Sequence, residues 1–373
     1  MRNLTMADLA KQAGVDQSTV SLALRNSSRI SPQTRDKIHK LAAKLGYRPN
    51  PLISALMQNR RKRLEIGGNS VVAWVTSWPT QDGWISGGSS YKAFFDGATE
   101  RLAELGFRPE LFWFDKKSLT PTRFSNIILA RGITGLIIAP VPSDEPELQL
   151  DWNKFSSVTL GPSLHSPNLD RVDAAHYEGI LTALQNCKDL GYKRIGLAID
   201  HALIERFQKR WLAGYFVHAT DPDTDTPLLE VFMEPLHQTD SIQQFYSWFK
   251  KSNPDVIITA SKQDGLRLIE LLDKGLGKSV PQDIGVAILN CQTKDDTLSG
   301  IFQFPKLLGA EAGEILVRKI MLNEIGLPEH PLTFSLNGVW NPGTTVRPQI
   351  KATSSIINIS ATKNRKKILR VET

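Results

Sequence analysis

The sequence predicts an all-α helix-turn-helix headpiece followed by an α/β body of two doubly wound, Rossmann-like lobes. Three observations predict it. Between Leu4 and Asn26 two short apolar-periodic runs flank a glycine, from Val71 onward short apolar runs alternate with amphipathic ones, and near residue 170 that alternation restarts in units of similar size.

In the headpiece, Thr5 suits the cap of a first helix with Asp8 three residues on, and Leu9, Ala10 and Ala13 share its inner face. Gly14 serves the turn because a residue without a Cβ accepts the backbone angles that return the chain. Asp16 suits the cap of a second helix, whose Val20, Ala23 and Leu24 face inward while Gln17, Ser18 and Ser21 are left outward. Ser31-Pro32 starts a third helix, with Ile38, Leu41, Ala42 and Leu45 at helical spacing and Gly46 as its stop.

Charge divides the chain. The whole carries a net +7, yet residues 1–63 hold 13 Lys or Arg against 3 Asp or Glu, and the tail from Lys351 holds 6 against one, so the middle is acidic. A cationic front end with a helix presenting small polar residues is what reading base edges in a major groove requires; a three-helix bundle that binds nothing has the same spacing.

The residues Thr5, Asp8, Ala10, Ala13-Gly14-Val15, Ser18-Thr19-Val20-Ser21, Ser31, Thr34-Arg35, Leu45-Gly46-Tyr47 and Pro49-Asn50 together resemble the headpiece signature of the lactose-repressor (LacI/GalR) family of bacterial transcription regulators. The resemblance implies a headpiece over 1–48, a hinge helix and basic linker over 49–66, a two-lobed body over 67–350 of the periplasmic-binding-protein type I kind, and a basic tail over 351–373. It implies base readout by Gln17, Ser18, Ser21 and Leu22, and phosphate contacts by Thr5, Thr19, Ser31, Thr34, Tyr47 and Asn50. Leu56 falls where the family wedges a leucine into the minor groove, although the segment Pro51–Met57 also reads as an apolar linker packed on the body. The partners implied are double-stranded operator DNA, a second copy of the chain, and a small-molecule effector, with carbohydrates among the candidates.

In the body, strands are expected at 71–75, 110–114, 135–139 and 158–160, with helices from Tyr91 to Leu105 and near 121–131. A second series follows: a strand at 170–173, a helix over 177–190, strands at 194–199, 228–232, 256–259 and 284–288, and helices at 205–219, 240–251 and 263–274. A helix over 307–322 and a strand near 332–336 follow, and the resemblance implies that they return to the first lobe. Short pieces resembling the family, such as Leu212-Ala213-Gly214-Tyr215, imply that Arg210, Trp211, Ser261 and Asn290 face an effector between the lobes, with Trp78 and Trp84 as a wall. Trp211 stands where many sugar-responsive members carry arginine, and Asn290 where they carry aspartate, so these side chains also read as ordinary packing.

No adequate catalytic constellation is present: no phosphate loop, no nucleophile elbow and no H-E-x-x-H, so an enzyme is not expected and neither is a cofactor or metal. A stand-alone small-molecule binding protein on the same two lobes is the alternative. Cys187 and Cys291 lack metal or redox spacing and read as reduced and packed. No apolar run spans a membrane and the N-terminus lacks a secretory signal, so a cytoplasmic protein is expected. The tail does not resemble the leucine-heptad tail that makes some members of the family tetramers, which implies a dimer. The tail reads as disordered chain or as an additional nonspecific DNA contact.

Overall fold

The computed structural model describes residues 6–24, 30–45, 70–86, 90–220, 227–294 and 296–347. At the front, α1 (Met6–Ala13), α2 (Gln17–Leu24) and α3 (Pro32–Lys44) close around Leu9, Ala13, Val20, Ala23, Ile38 and Ala42. Five of the seven buried residues in this core are alanine or valine, so the short helices can approach closely. Gly14 sits between α1 and α2 at φ +70°, where a side chain would be strained. α3 begins as expected: Ser31 Oγ accepts the Thr34 N–H at 3.3 Å and Pro32 occupies the first turn.

The first lobe is built on six strands, β1 (Ser70–Thr76), β2 (Phe107–Trp113), β3 (Gly135–Ile138), β4 (Ser156–Leu160), β5 (Arg171–Ala174) and β10 (Thr333–Leu336). Their order is β10-β5-β4-β3-β1-β2, parallel throughout, with Trp74 beside Leu111 on one side and Ile137 on the other. Val72 and Trp74 face α5 (Tyr91–Glu104) and α12 (Pro305–Leu322), while Ala73 and Val75 face α6 (Pro121–Ala130). Burial on both faces explains why these strands read as continuous apolar runs. α5 and α12 approach so closely that a Cβ on Gly97 would lie 1.8 Å from the Lys306 carbonyl oxygen, and one on Gly309 1.9 Å from that of Phe94.

The second lobe carries β6 (Ile195–Ala198), β7 (Val256–Ser261), β8 (Gly285–Cys291), β9 (Ser299–Phe302) and β11 (Val339–Asn341), in the order β11-β9-β8-β7-β6. Only β11 among them runs antiparallel to its neighbour. α7 (His176–Asp189) and α9 (Arg210–Thr220) cover one face; α10 (Thr239–Ser252) and α11 (Lys262–Leu276) cover the other. The chain passes between lobes three times among the described residues, at 174–176, 302–305 and 336–339.

Helix α12 and strand β10 return to the first lobe as expected. Four details differ from the sequence reading. The strand at 170–173 does not open the second lobe: β5 pairs with β4 and β10 and belongs to the first sheet. The single helix expected over 205–219 is two, α8 (His201–Arg206) and α9, because Gln208 and Lys209 take left-handed φ of 51° and 59°. The strand at 228–232 is reduced to one bridge, Ala198 to Phe232. Strands β9 and β11 were not expected; at four and three residues they are too short to show a period.

Candidate nucleic-acid interface and interlobe cleft

In the headpiece, α3 ties the other two helices at their carboxyl ends. The Lys37 ammonium donates to the Ala13 carbonyl at 3.4 Å, and the His39 ring nitrogen Nε2 contacts the Ala23 carbonyl at 3.1 Å. A cation at exposed C-terminal carbonyls also suits the helix dipole. Neither contact was foreseen, because a lone Lys or His on a helix gives no pattern.

With Val20 and Ala23 inward, helical geometry sets positions 18, 21 and 22 on the opposite side of α2. Leu22 and Thr19 are half-buried. The side chains of Gln17, Ser18 and Ser21 lie outside the described residues, as do Thr5, Gly46, Tyr47, Asn50 and Leu56 and the whole of the segments 49–66 and 351–373. Ser31 and Thr34 share a hydroxyl hydrogen bond of 2.9 Å at the exposed N-terminus of α3, where free backbone N–H groups favour an anion.

In the body, the carboxyl ends of the two sheets face one another, and side chains cross the gap. Arg206 of α8 is buried and reaches into the first lobe, donating to the Val141 carbonyl at 2.8 Å, to Ser143 Oγ at 3.0 Å and to the Tyr91 hydroxyl. Ser90, at the start of α5, donates to Asn290 Oδ1 at the end of β8 at 3.2 Å. Asp173 of β5 accepts from Arg210 at 2.7 Å and contacts His176 Nε2 at 3.1 Å, at the first passage between lobes. A pocket of about 240 Å³ opens beside this seam, lined by Ser143, Ser163 and His165 from one lobe and by Ala202, Glu205 and Arg206 from the other.

The residues expected around an effector are distributed unevenly. Trp78 lies half-buried after β1; its indole donates to the Pro140 carbonyl at 2.8 Å and its ring stands 6.2 Å from that of Tyr91. Trp84, in the short helix α4 (Gly83–Ser86), is 2% exposed, wedged in the first-lobe core 6.0 Å from Trp74 and 5.7 Å from Phe95, so here it contributes packing. Trp211 is 3% exposed, stacked 4.0 Å from Phe207 with His176 edge-on. Its Nε1 and His176 Nδ1 have no hydrogen-bond partner among the described residues, and the same holds for Thr76 Oγ1 and Ser77 Oγ at the end of β1. Ser261 caps α11, accepting the Asp264 N–H at 3.2 Å and donating to its carboxylate at 2.6 Å. Arg210 and Asn290 are the two expected residues that bond across the gap. Arg206, Asp173, Ser90 and Tyr91 were missed; they are distant in sequence and share no motif.

Elsewhere in the second lobe, burial alone would raise the Asp296 carboxyl, but hydrogen bonds from Lys262 and from the Leu298 and Gln292 N–H groups together hold it below the ordinary aspartate value. Burial pushes both thiols, Cys187 and Cys291, up to about 12, so neither is a nucleophile at neutral pH. No group of His, Cys, Asp and Glu suited to a metal ion occurs among the described residues, and no described helix is long and apolar enough to cross a membrane.

The described residues thus form a three-helix headpiece and two largely parallel-sheet lobes with a polar seam between the lobes. Residues 5–50 match the profile of the bacterial regulatory proteins, lacI family. The chain is 24% identical over 329 residues to the HTH-type transcriptional regulator CelR of Thermobifida fusca, covering 86% of this chain and 92% of CelR. Over 53 residues, 14% of this chain and 16% of the relative, it is 49% identical to the HTH-type transcriptional regulator GalS of Salmonella typhimurium. Among solved structures, a CelR–cellobiose complex matches with a TM-score of 0.53 at 22% identity, covering 91% of this chain and all of that one. The lac repressor dimer bound to operator and the anti-inducer ONPF matches at 0.53 and 18%, covering 93% and 100%.

Proposed function

We propose that the protein is a cytoplasmic homodimeric repressor that binds a near-palindromic operator and is modulated by a small molecule held between the lobes. The observation that carries the reading is the headpiece. Its three-helix core turns one face of α2 outward within the most cationic segment of the chain. In this reading the headpiece spans 1–48, the hinge and linker 49–66, and the body 67–350. Gln17, Ser18, Ser21 and Leu22 read bases; Thr5, Thr19, Ser31, Thr34, Tyr47 and Asn50 hold phosphates; Leu56 wedges the minor groove. One headpiece offers few base contacts, and two-fold pairing doubles them.

The seam supports the second half of the reading. Trp78, Arg210, Ser261 and Asn290, with Asp173 and Arg206, supply aromatic faces, charges and amides suited to a polar ligand, and the unpartnered atoms of Thr76, Ser77, His176 and Trp211 are further capacity for it. CelR is seen with cellobiose, and the lac repressor with operator, which favours a carbohydrate as the first ligand class to try. The test is enrichment of duplexes from random DNA by the full chain, repeated with a panel of mono- and disaccharides. A two-fold motif whose affinity shifts with one sugar supports the proposal; a motif unmoved by any ligand that binds removes the effector from it.

A further inference from the structure

Building on the reading of the seam as an effector site, we propose that the pocket of about 240 Å³ beside it is an anion subsite, which takes the carboxylate or phosphate of a small polyhydroxylated acid. The pocket shares only Arg206 with the residues assigned to the effector above. Charge is the first observation. Arg206 is 8% exposed and Arg171 7%, and neither has a carboxylate at ion-pair distance among the described residues. The buried carboxylates of this region are taken: Asp170 pairs with Lys319, and Asp173 is shared by Arg210 and His176. A guanidinium keeps its proton even when buried, so its charge is offset only by acceptors or by an anion. Arg171 donates to the Gly161 carbonyl and, at 2.6 Å, to the Leu164 carbonyl, which sets its charge against the loop whose Ser163 and His165 form one wall of the pocket.

Hydrogen-bond capacity is the second observation. Of the five N–H groups of a guanidinium, Arg206 uses three, on the Val141 carbonyl, Ser143 Oγ and the Tyr91 hydroxyl. Its Nε–H and one N–H of Nη2 have no partner among the described residues. Ser143 Oγ accepts from Arg206, and Ser163 Oγ accepts the Val141 N–H at 2.9 Å, so each hydroxyl keeps its own hydrogen to donate. Arg206, Ser143 and Ser163 all line the pocket, and Ser163 is as buried as Arg206. A set made only of donors, one of them cationic, suits a group that only accepts, as a carboxylate or phosphate does.

Two carboxylates, Asp144 and Glu205, also line the pocket, and they say what the rest of the ligand is. Both are exposed at the rim, and Glu205 pairs with Lys209 at 3.2 Å. There they accept hydroxyl hydrogens, so a ligand that uses the whole lining points its anionic end at Arg206 and its hydroxyls outward. The volume lies below the roughly 300 Å³ at which pockets for drug-sized ligands begin, which suits one monosaccharide-sized acid.

Isothermal titration of the full-length protein without DNA tests this. Glucose is set against glucuronate and glucose 6-phosphate, galactose against galacturonate, and ribose against ribose 5-phosphate. In at least one series an acid should bind about tenfold tighter than its neutral parent, with the preference falling as salt rises. No acid bound at millimolar concentration overturns the proposal, and so does a neutral parent that binds as tightly as its acids. Removing Arg206 also loosens the lobes, so the site is probed at Ala202, an exposed lining residue that makes none of the Arg206 contacts. Ala202→Asp should weaken the acid about tenfold and Ala202→Lys strengthen it, with neutral sugars unmoved. Acid affinity unchanged in both variants overturns the proposal. An acid that binds in this way without moving operator affinity upholds the subsite and fails the effector reading; a neutral sugar that moves operator affinity while no acid binds does the reverse.

Discussion

Replacing Arg206 by methionine should release the two lobes from each other. The guanidinium is buried and joins α8 to the first lobe through the Val141 carbonyl, Ser143 Oγ and the Tyr91 hydroxyl. Hydrogen bonds to a charged group contribute about 1.5–3 kcal/mol each and are not additive, so the lobe arrangement described here should lose about 3–5 kcal/mol relative to a separated one. At about 1.4 kcal/mol per factor of ten, that is a shift of at least a hundredfold in the ratio of the two arrangements. Methionine keeps the length and apolar stem of the side chain, so the core around α8 is retained. The assay is hydrogen exchange at residues 90–95 and 140–144 together with solution X-ray scattering. Faster exchange at both segments and a larger radius of gyration are expected. Arg206→Lys should fall between, because one ammonium cannot span three acceptors as a planar fork does. An unchanged scattering profile and unchanged exchange in Arg206→Met would refute the idea that this side chain holds the lobes together.

Other outcomes follow from the same contacts. Asp296 is held below its ordinary value in the folded protein, so its contribution to stability is complete above about pH 4 and is lost as pH falls through the folded value. Asp296→Asn should therefore be less stable by about 1–3 kcal/mol between pH 5 and 8, with the gap to the parent closing in acid, as measured by denaturant unfolding. Gly97→Ala sets a methyl against the Lys306 carbonyl and should cost about 1–3 kcal/mol or more, read as a lower melting temperature. Both thiols should resist an aromatic disulfide reagent at pH 8 in the folded protein and react fully in denaturant. Gln17→Ala should alter the preferred operator bases by about 1–3 kcal/mol in competition binding, and identical preferences would take Gln17 out of the readout.

The sequence was legible where a period or a cap is long enough to repeat. The capped start of α3 and the inward face of the headpiece could be read residue by residue, and so could the apolar runs of β1, β3, β7 and β8, because burial dictates each position. The return of α12 and β10 to the first lobe came from resemblance, since no local pattern in residues 305–336 says which sheet they join. The assignment of β5 failed for the same reason: a four-residue strand carries no mark of its neighbours. The short strands β9 and β11 and the break at Gln208-Lys209 are set by tertiary pairing and by two left-handed residues of no special type. At the seam, Arg210 and Asn290 could be found from nearby motifs, whereas Arg206, Ser90 and Asp173 come together only when the two lobes meet.

The most direct test is selection of binding sites from random duplex DNA by the purified full-length protein at moderate ionic strength, with excess nonspecific competitor. The account predicts one enriched, near-palindromic site with two half-sites, whose affinity falls steeply as salt rises because phosphates are neutralised by the cationic headpiece. Failure to enrich any sequence above the competitor would contradict it.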